Sequence, residues 1–381
     1  MSATASVAKL QDNVHSSQRL WTVEPTLQQV LLLSVTCYAV YVIVICSLQD
    51  YWPMVRTFGD NQPYVSIATG IRNWNFPAIK EWQFFGLPYA MVGFSFLTRT
   101  SFWTAVLVLS VVCSFVTVVL SNRLWGGWVA GFFAVASREW MERSLLGGAE
   151  PLFLALLFGS FLAARRERWT VAALLAALST TVRPMGIFAL LAIGLVLLWR
   201  KRYNSLLAAV LVGSVVGALY ILPMKLYMGA ALANVTEYGQ ADGSGGHPLT
   251  LPFRALFQNS MPALSTHLNI ARAGAWIAAL LLALAAMVYN PRFREYARKH
   301  PVEVIFCALY SMLLFTYNSP WARIAFPRYV IPVIPFMVLA FLQWIPRDRR
   351  LLWAFGLFSA VMSGVETSGF TAALTRLHKL L

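Results

Sequence analysis

Charge is what this sequence has least of. Asp, Glu, Lys and Arg supply 12% of its 381 residues, and only fifteen of them are acids. A soluble core of this length needs far more charge to cover its surface, so an ordinary soluble globule is excluded. Cysteine is scarce as well. Cys37, Cys46, Cys113 and Cys307 all lie inside apolar stretches, with no CxxC spacing and no histidine in ligand spacing. Neither a disulfide framework nor a zinc site is therefore supported, and the four read as small apolar fillers. His247 and His267 stand alone, with no acid at i+3 or i+4, so no metal-ligating set is expected. A basic face with interleaved aromatics is also missing. The net charge of +15 comes from short clusters between apolar runs, which read as topology signals and contacts to anionic membrane lipids, not as a nucleic-acid surface. Nor is there a visible inverted repeat of the transporter kind.

Hydrocarbon-soluble residues are abundant. Hydrophobic residues make up 59% of the chain and the mean hydropathy is +0.63, values of a polytopic membrane protein. Fourteen tryptophans suit interfacial anchors. Runs approaching the 20 or so residues of a span occur at 27–48, 102–121, 123–138, 144–163, 169–183, 184–199, 205–226, 271–289, 303–318, 329–345 and 351–368. Arg183-Pro184 marks a break within 169–199, because proline removes a helix hydrogen bond and disfavours helix in the residue before it. The expected fold is all-α and polytopic, with about eleven transmembrane helices. Residues 1–26 form a polar tail, too long and mixed for the n-region of a signal peptide.

Placing that tail in the cytoplasm brings Arg123, Arg165 to Arg168, Arg200 to Arg202, Arg292 to Lys299 and Arg347 to Arg350 to one side, as the positive-inside bias requires. The opposite face then receives two long loops, 49–101 and 227–270, and nine of the fifteen acids. Work outside the cytoplasm is implied. The first loop reads as two helices lying on the membrane, 63–74 and 82–97; the second carries a flexible break at Gly243 to Gly246. The chain divides into the tail, an N-terminal catalytic module at 27–226, the second outer loop, and a C-terminal transmembrane module at 271–381. A bacterial inner membrane, with the site on its periplasmic face, suits this layout.

Ionisable groups at a membrane edge are functional candidates. In Phe58-Gly59-Asp60-Asn61-Gln62-Pro63-Tyr64, Asp60 is placed either to cap the following helix or to accept a proton as a general base, and the two uses are compatible. Tyr64, one turn on, shares its face. Glu150-Pro151 opens a span, where the dipole favours an anion and proline fits the first turn; an inward acid binding acceptor hydroxyls is the functional alternative. Glu139 and Glu142 are matched to Arg138 and Arg143 as exposed ion pairs. Arg183 stands in apolar sequence and needs a partner, either a phosphate held by its planar fork or an acid such as Glu150. Arg323 and Arg328, near the outer end of a late span, either snorkel or join Arg183 around a lipid phosphate.

The Gly-Asp-x-x-x-Tyr setting after the first helix resembles the GT-C superfamily of integral-membrane glycosyltransferases. Gly147-Gly148-Ala149-Glu150-Pro151 and Arg183-Pro184-Met185-Gly186 are similar to its GPI-mannosyltransferase-like branch and bacterial relatives, and Phe326-Pro327-Arg328-Tyr329 looks like the superfamily's late arginine–tyrosine signature. The resemblance implies inverting transfer of a hexose, mannose among the candidates, from a polyprenyl-phosphate sugar to a lipid-linked or envelope glycan. Asp60 would be the base, with Arg183 or Arg328 on the phosphate. Members with two adjacent acids in this loop differ from this chain, where Asn61 follows Asp60; that favours a metal-free mechanism without a cofactor. The short C-terminal segment implies a small or lipid-borne acceptor. A transporter or flippase for an anionic or lipid-linked solute is the alternative.

Overall fold

The computed structural model describes residues 23–76, 83–229, 249–258, 267–319 and 321–369. His247, the Gly243 to Gly246 break and most of the 1–26 tail lie outside them. Among the described residues no strand forms, and helices carry the architecture. Leu27–Leu48 (α1) begins at a capping box: the Thr26 hydroxyl accepts the Gln29 N–H, and the Gln29 side chain accepts the Thr26 N–H. The first loop holds Tyr51–Thr57 (α2), Asn61–Arg72 (α3) and Gly86–Thr98 (α4). The last two correspond to the pair expected there; α2 carried no helix signal strong enough to be read.

The bundle continues with Phe102–Trp125 (α5), Gly127–Val135 (α6), Arg138–Leu145 (α7), Glu150–Arg165 (α8), Trp169–Val182 (α9), Ile187–Trp199 (α10) and Tyr203–Met228 (α11). Short Arg254–Gln258 (α12) precedes His267–Tyr289 (α13), Pro291–Lys299 (α14), Pro301–Thr316 (α15), Phe326–Tyr329 (α16), Ile334–Phe341 (α17) and Arg349–Ser368 (α18). Along α11, Leu207, Leu211, Val215, Leu219 and Leu226 are exposed. A stripe of this kind is stable against lipid tails and not against water. The chain is an integral, multi-pass membrane protein.

Among the described residues, five helices are long and apolar enough to cross a membrane, or six if one bent pair is a single span. A further five apolar helices have 10–17 residues. Two expected boundaries move. Helix α5 runs on to Trp125, leaving α6 only nine residues. The expected 144–163 span is bent by 104° between α7 and α8. At that elbow Gly147 has φ +105°, and a Cβ there would meet the Asn61 amide at 2.7 Å. Glycine is needed for both the dihedral and the approach.

Ion pairs, most of them buried or half-buried, hold each end of the bundle. At the basic end, Arg165 donates to Glu303 at 2.5 and 2.9 Å and to the Leu124 carbonyl at 2.6 Å. Arg202 reaches Glu167 at 2.8 Å, so the connections after α8 and α10 meet there. At the other end Arg138 pairs with Glu142 at 2.6 Å and Glu366 at 2.5 Å, and Arg272 with Glu366 at 2.8 Å and Glu139 at 3.4 Å. The local Arg138–Glu142 pair expected here forms, but it is not exposed, and the other pairs are long-range. They link α7 to α13 and α18, and Glu142 is buried. The fifteen steps of α8 from Glu150 to Arg165 separate them by about 22 Å, which places the acid-bearing and basic ends on opposite sides of the bundle.

Candidate active site

Five side chains from distant parts of the chain converge beside the α7–α8 elbow. Glu150 is the hub. It is the first residue of α8, with Pro151 behind it, as the sequence pattern predicts. The residue is 4% exposed. Oε1 accepts from Arg183 Nη2 at 2.5 Å and from Arg328 Nε, and lies 4.0 Å from Arg143 Nε. Arg183 caps the C-terminus of α9 in an extended conformation (φ −143°, ψ 132°), the geometry that Pro184 imposes on its predecessor. The expected ion-pair partner for Arg183 is thus present. Glu150 Oε1 serves arginines and not a free hydroxyl, while Oε2 is buried without a hydrogen-bond partner.

Asp60 sits at the N-cap position of α3, but its carboxylate makes no cap hydrogen bond. It instead accepts from Arg328 Nη2 at 2.9 Å on Oδ2, and from Gln83 Nε2 at 3.5 Å on Oδ1. Of the two uses open to it, capping is therefore not made. Burial would push the Asp60 carboxyl up; Arg328 first, then Arg143 and Arg183, outweigh it and hold it below the ordinary carboxylate range. Tyr64 is buried one turn along, with its backbone N–H bonded to the Asp60 carbonyl at 3.0 Å. Burial, and then the Asp60 charge, raise its phenol pKa. Arg328 bridges the two acids from α16. Arg323, in the same segment, forms no ion pair among the described residues, and its Nε is buried without a hydrogen-bond partner. A small cavity lined by Glu150, Phe153, Arg183, Tyr310, Arg328 and Tyr329 opens beside the cluster. Among the described residues no group of three His, Cys, Asp or Glu side chains is placed to hold a metal.

Two contributors escaped the sequence reading. Arg143 turns away from Glu142 towards Glu150. Asn61 is fully buried, and its Nδ2 donates to the Val55 and Leu146 carbonyls at 2.8 Å each. It ties the Asp60 loop to the elbow that carries Glu150. Asn61→Asp replaces two donated bonds with a carboxylate facing two carbonyls. We expect it to destabilise the fold by about 3 kcal/mol or more, read as a lower melting temperature of the purified protein, with Asn61→Ala milder.

The fold and site together define a many-helix membrane bundle with a buried arginine–carboxylate cluster at one end. The chain belongs to glycosyltransferase family 87, whose model matches residues 84–316. Arg143, Glu150 and Arg183 fall inside that segment; Asp60 precedes it and Arg328 follows it. The expectation of a glycosyltransferase family holds at this level. Among solved structures, the chain is similar to ArnT from Cupriavidus metallidurans bound to undecaprenyl phosphate, with 16% identity and a TM-score of 0.49 over 86% of this chain and 62% of that one. The apo state of that ArnT is similar at 14% identity and TM-score 0.35, over 89% and 77%. This chain therefore spans under two thirds of the length of the first. No curated protein matches the sequence.

Proposed function

We propose that this protein is an inverting glycosyltransferase that moves a sugar from a polyprenyl-phosphate donor to a lipid-linked or envelope glycan on the outer side of a bacterial inner membrane. The observation that carries this reading is the bridge made by Arg328, which touches Asp60 at 2.9 Å and Glu150 in the same cluster as Arg183. A carboxylate and a cationic cradle then stand side by side, as transfer from a phosphate requires. In the reaction Asp60 takes the proton of the acceptor hydroxyl. That oxygen bonds to the anomeric carbon, the bond from this carbon to the phosphate oxygen breaks, and the phosphate leaves with one more negative charge. Arg183 and Arg328 stabilise that charge. The donor phosphate also competes with Asp60 for Arg328, and loosening this pair raises the basicity of the carboxylate where the proton must be taken.

A hexose fits the reading, with mannose the first candidate. The test is transfer by purified protein from polyprenyl-phosphate mannose, glucose and arabinose to envelope glycolipid, read as labelled acceptor and released polyprenyl phosphate. Solute movement in liposomes without transfer from any donor would favour a transporter instead. The guanidiniums supply the positive charge beside the departing phosphate, so treatment with EDTA is expected to leave the transfer rate unchanged; a rate restored only by added divalent cation would show that a metal is needed.

A further inference from the structure

Arg143 is a buried cation with donors to spare. Its side chain is 11% exposed, and neither Nε nor Nη1 has a hydrogen-bond partner. The guanidinium lies 4.5 Å from the centroid of the Phe58 ring and packs over the open side of Gly59, where a Cβ would come within 2.3 Å of Nη1. With φ +50° at Gly59, the backbone there leaves room for the guanidinium beside the residue that precedes Asp60. Unsatisfied N–H groups on a buried charge are costly, and among the described residues the only carboxylate in its ion-pair range is Glu150 at 4.0 Å, an oxygen already shared with Arg183 and Arg328.

The charge count points the same way. Arg143, Arg183 and Arg328 face Asp60 and Glu150, so the cluster holds one positive charge in excess. A phosphodiester carries one negative charge and balances it. After transfer, the phosphate has a second negative charge and Asp60 has gained a proton, so the balance holds at both ends of the reaction.

We propose that Arg143 is a third phosphate-binding residue of this site, donating its unpartnered N–H groups to the phosphate oxygens of the lipid donor and of the lipid-phosphate product. The inference rests on the lipid-phosphate reading of the site. It distinguishes Arg143 from Arg138, five residues earlier on the same helix, which is paired with Glu142 and Glu366.

Farnesyl phosphate is a suitable probe, because it carries the product headgroup without committing to a sugar; farnesol is its phosphate-free control. Binding is measured by ligand-induced thermal shift and tryptophan fluorescence. Wild type should bind the phosphate in preference to the alcohol. Arg143→Gln should weaken farnesyl phosphate about 10- to 100-fold, the range of a charge-assisted hydrogen bond, and leave farnesol binding unchanged. A role limited to propping Phe58 and Gly59 would not move that phosphate-specific difference. Arg143→Lys keeps the charge but loses the planar fork, and should fall between the two; if the glutamine variant does not fold, the lysine variant is read alone. Wild-type affinity for farnesyl phosphate in a folded variant overturns the assignment of Arg143 while leaving the function standing. No preference for the phosphate in wild type removes both.

Discussion

Asp60→Asn should lower the rate of sugar transfer about 10²- to 10⁴-fold, the usual contribution of a positioned general base, while the protein folds normally. The substitution is close to isosteric. The start of α3 does not depend on the Asp60 side chain, which makes no cap hydrogen bond, so helix capping is not lost. The amide oxygen can still accept from Arg328 Nη2, now 2.9 Å from Oδ2. Only the ability to take a proton disappears. The expected pattern is a reduced kcat with KM unchanged or lower, because the donor phosphate no longer competes with a charged Asp60 for Arg328. Matched melting temperatures and full activity in the variant would remove Asp60 as the base.

Glu150→Gln should have the largest effect on stability. The substitution leaves Arg143, Arg183 and Arg328 around a neutral side chain, with Asp60 alone to balance them. Breaking a buried ion pair from one side typically costs about 3–5 kcal/mol, because the partner charge stays behind, and here three partners stay behind. We expect a large fall in melting temperature in detergent and poor recovery of folded protein. Arg183→Gln in the same chain should return part of the loss, since the donor at 2.5 Å from Glu150 is then no longer a cation. A Glu150→Gln protein as stable as wild type would show that the cluster contributes nothing to holding the bundle together.

The long apolar runs at 27–48 and 351–368 were legible in the sequence because burial in lipid leaves a plain compositional mark, and α1 and α18 follow them. The break at Arg183-Pro184 was legible because proline acts on its immediate neighbour. Asp60, Glu150, Arg183 and Arg328 could each be singled out as costly in their surroundings. Glu150 was readable as a partner for Arg183, but the pairs of Arg328 were not: it meets Asp60 across 268 positions and Glu150 across 178, and no local pattern encodes that. Arg143 was hidden by its neighbourhood, since a guanidinium one position after Glu142 looks locally paired. Asn61 was visible only as a missing second acid; its bond to the Leu146 carbonyl needs the elbow, and the bend at Gly147 leaves no mark in hydropathy.

The amide of Asn61 has a consequence for motion. Many enzymes that act on large substrates close a lid over them, and the rate of opening limits turnover. Here the segment carrying Asp60 is pinned by Asn61 to the Val55 and Leu146 carbonyls, and the Leu146 end is the elbow that presents Glu150. Under the proposed function, the proton acceptor and the phosphate cradle would then move as one body. A rigid pair of this kind would leave the travelling to the proposed lipid donor, which would slide in sideways from the bilayer, with the spent carrier sliding out the same way. Turnover would then follow membrane fluidity and carrier exchange more closely than any swing of the polypeptide.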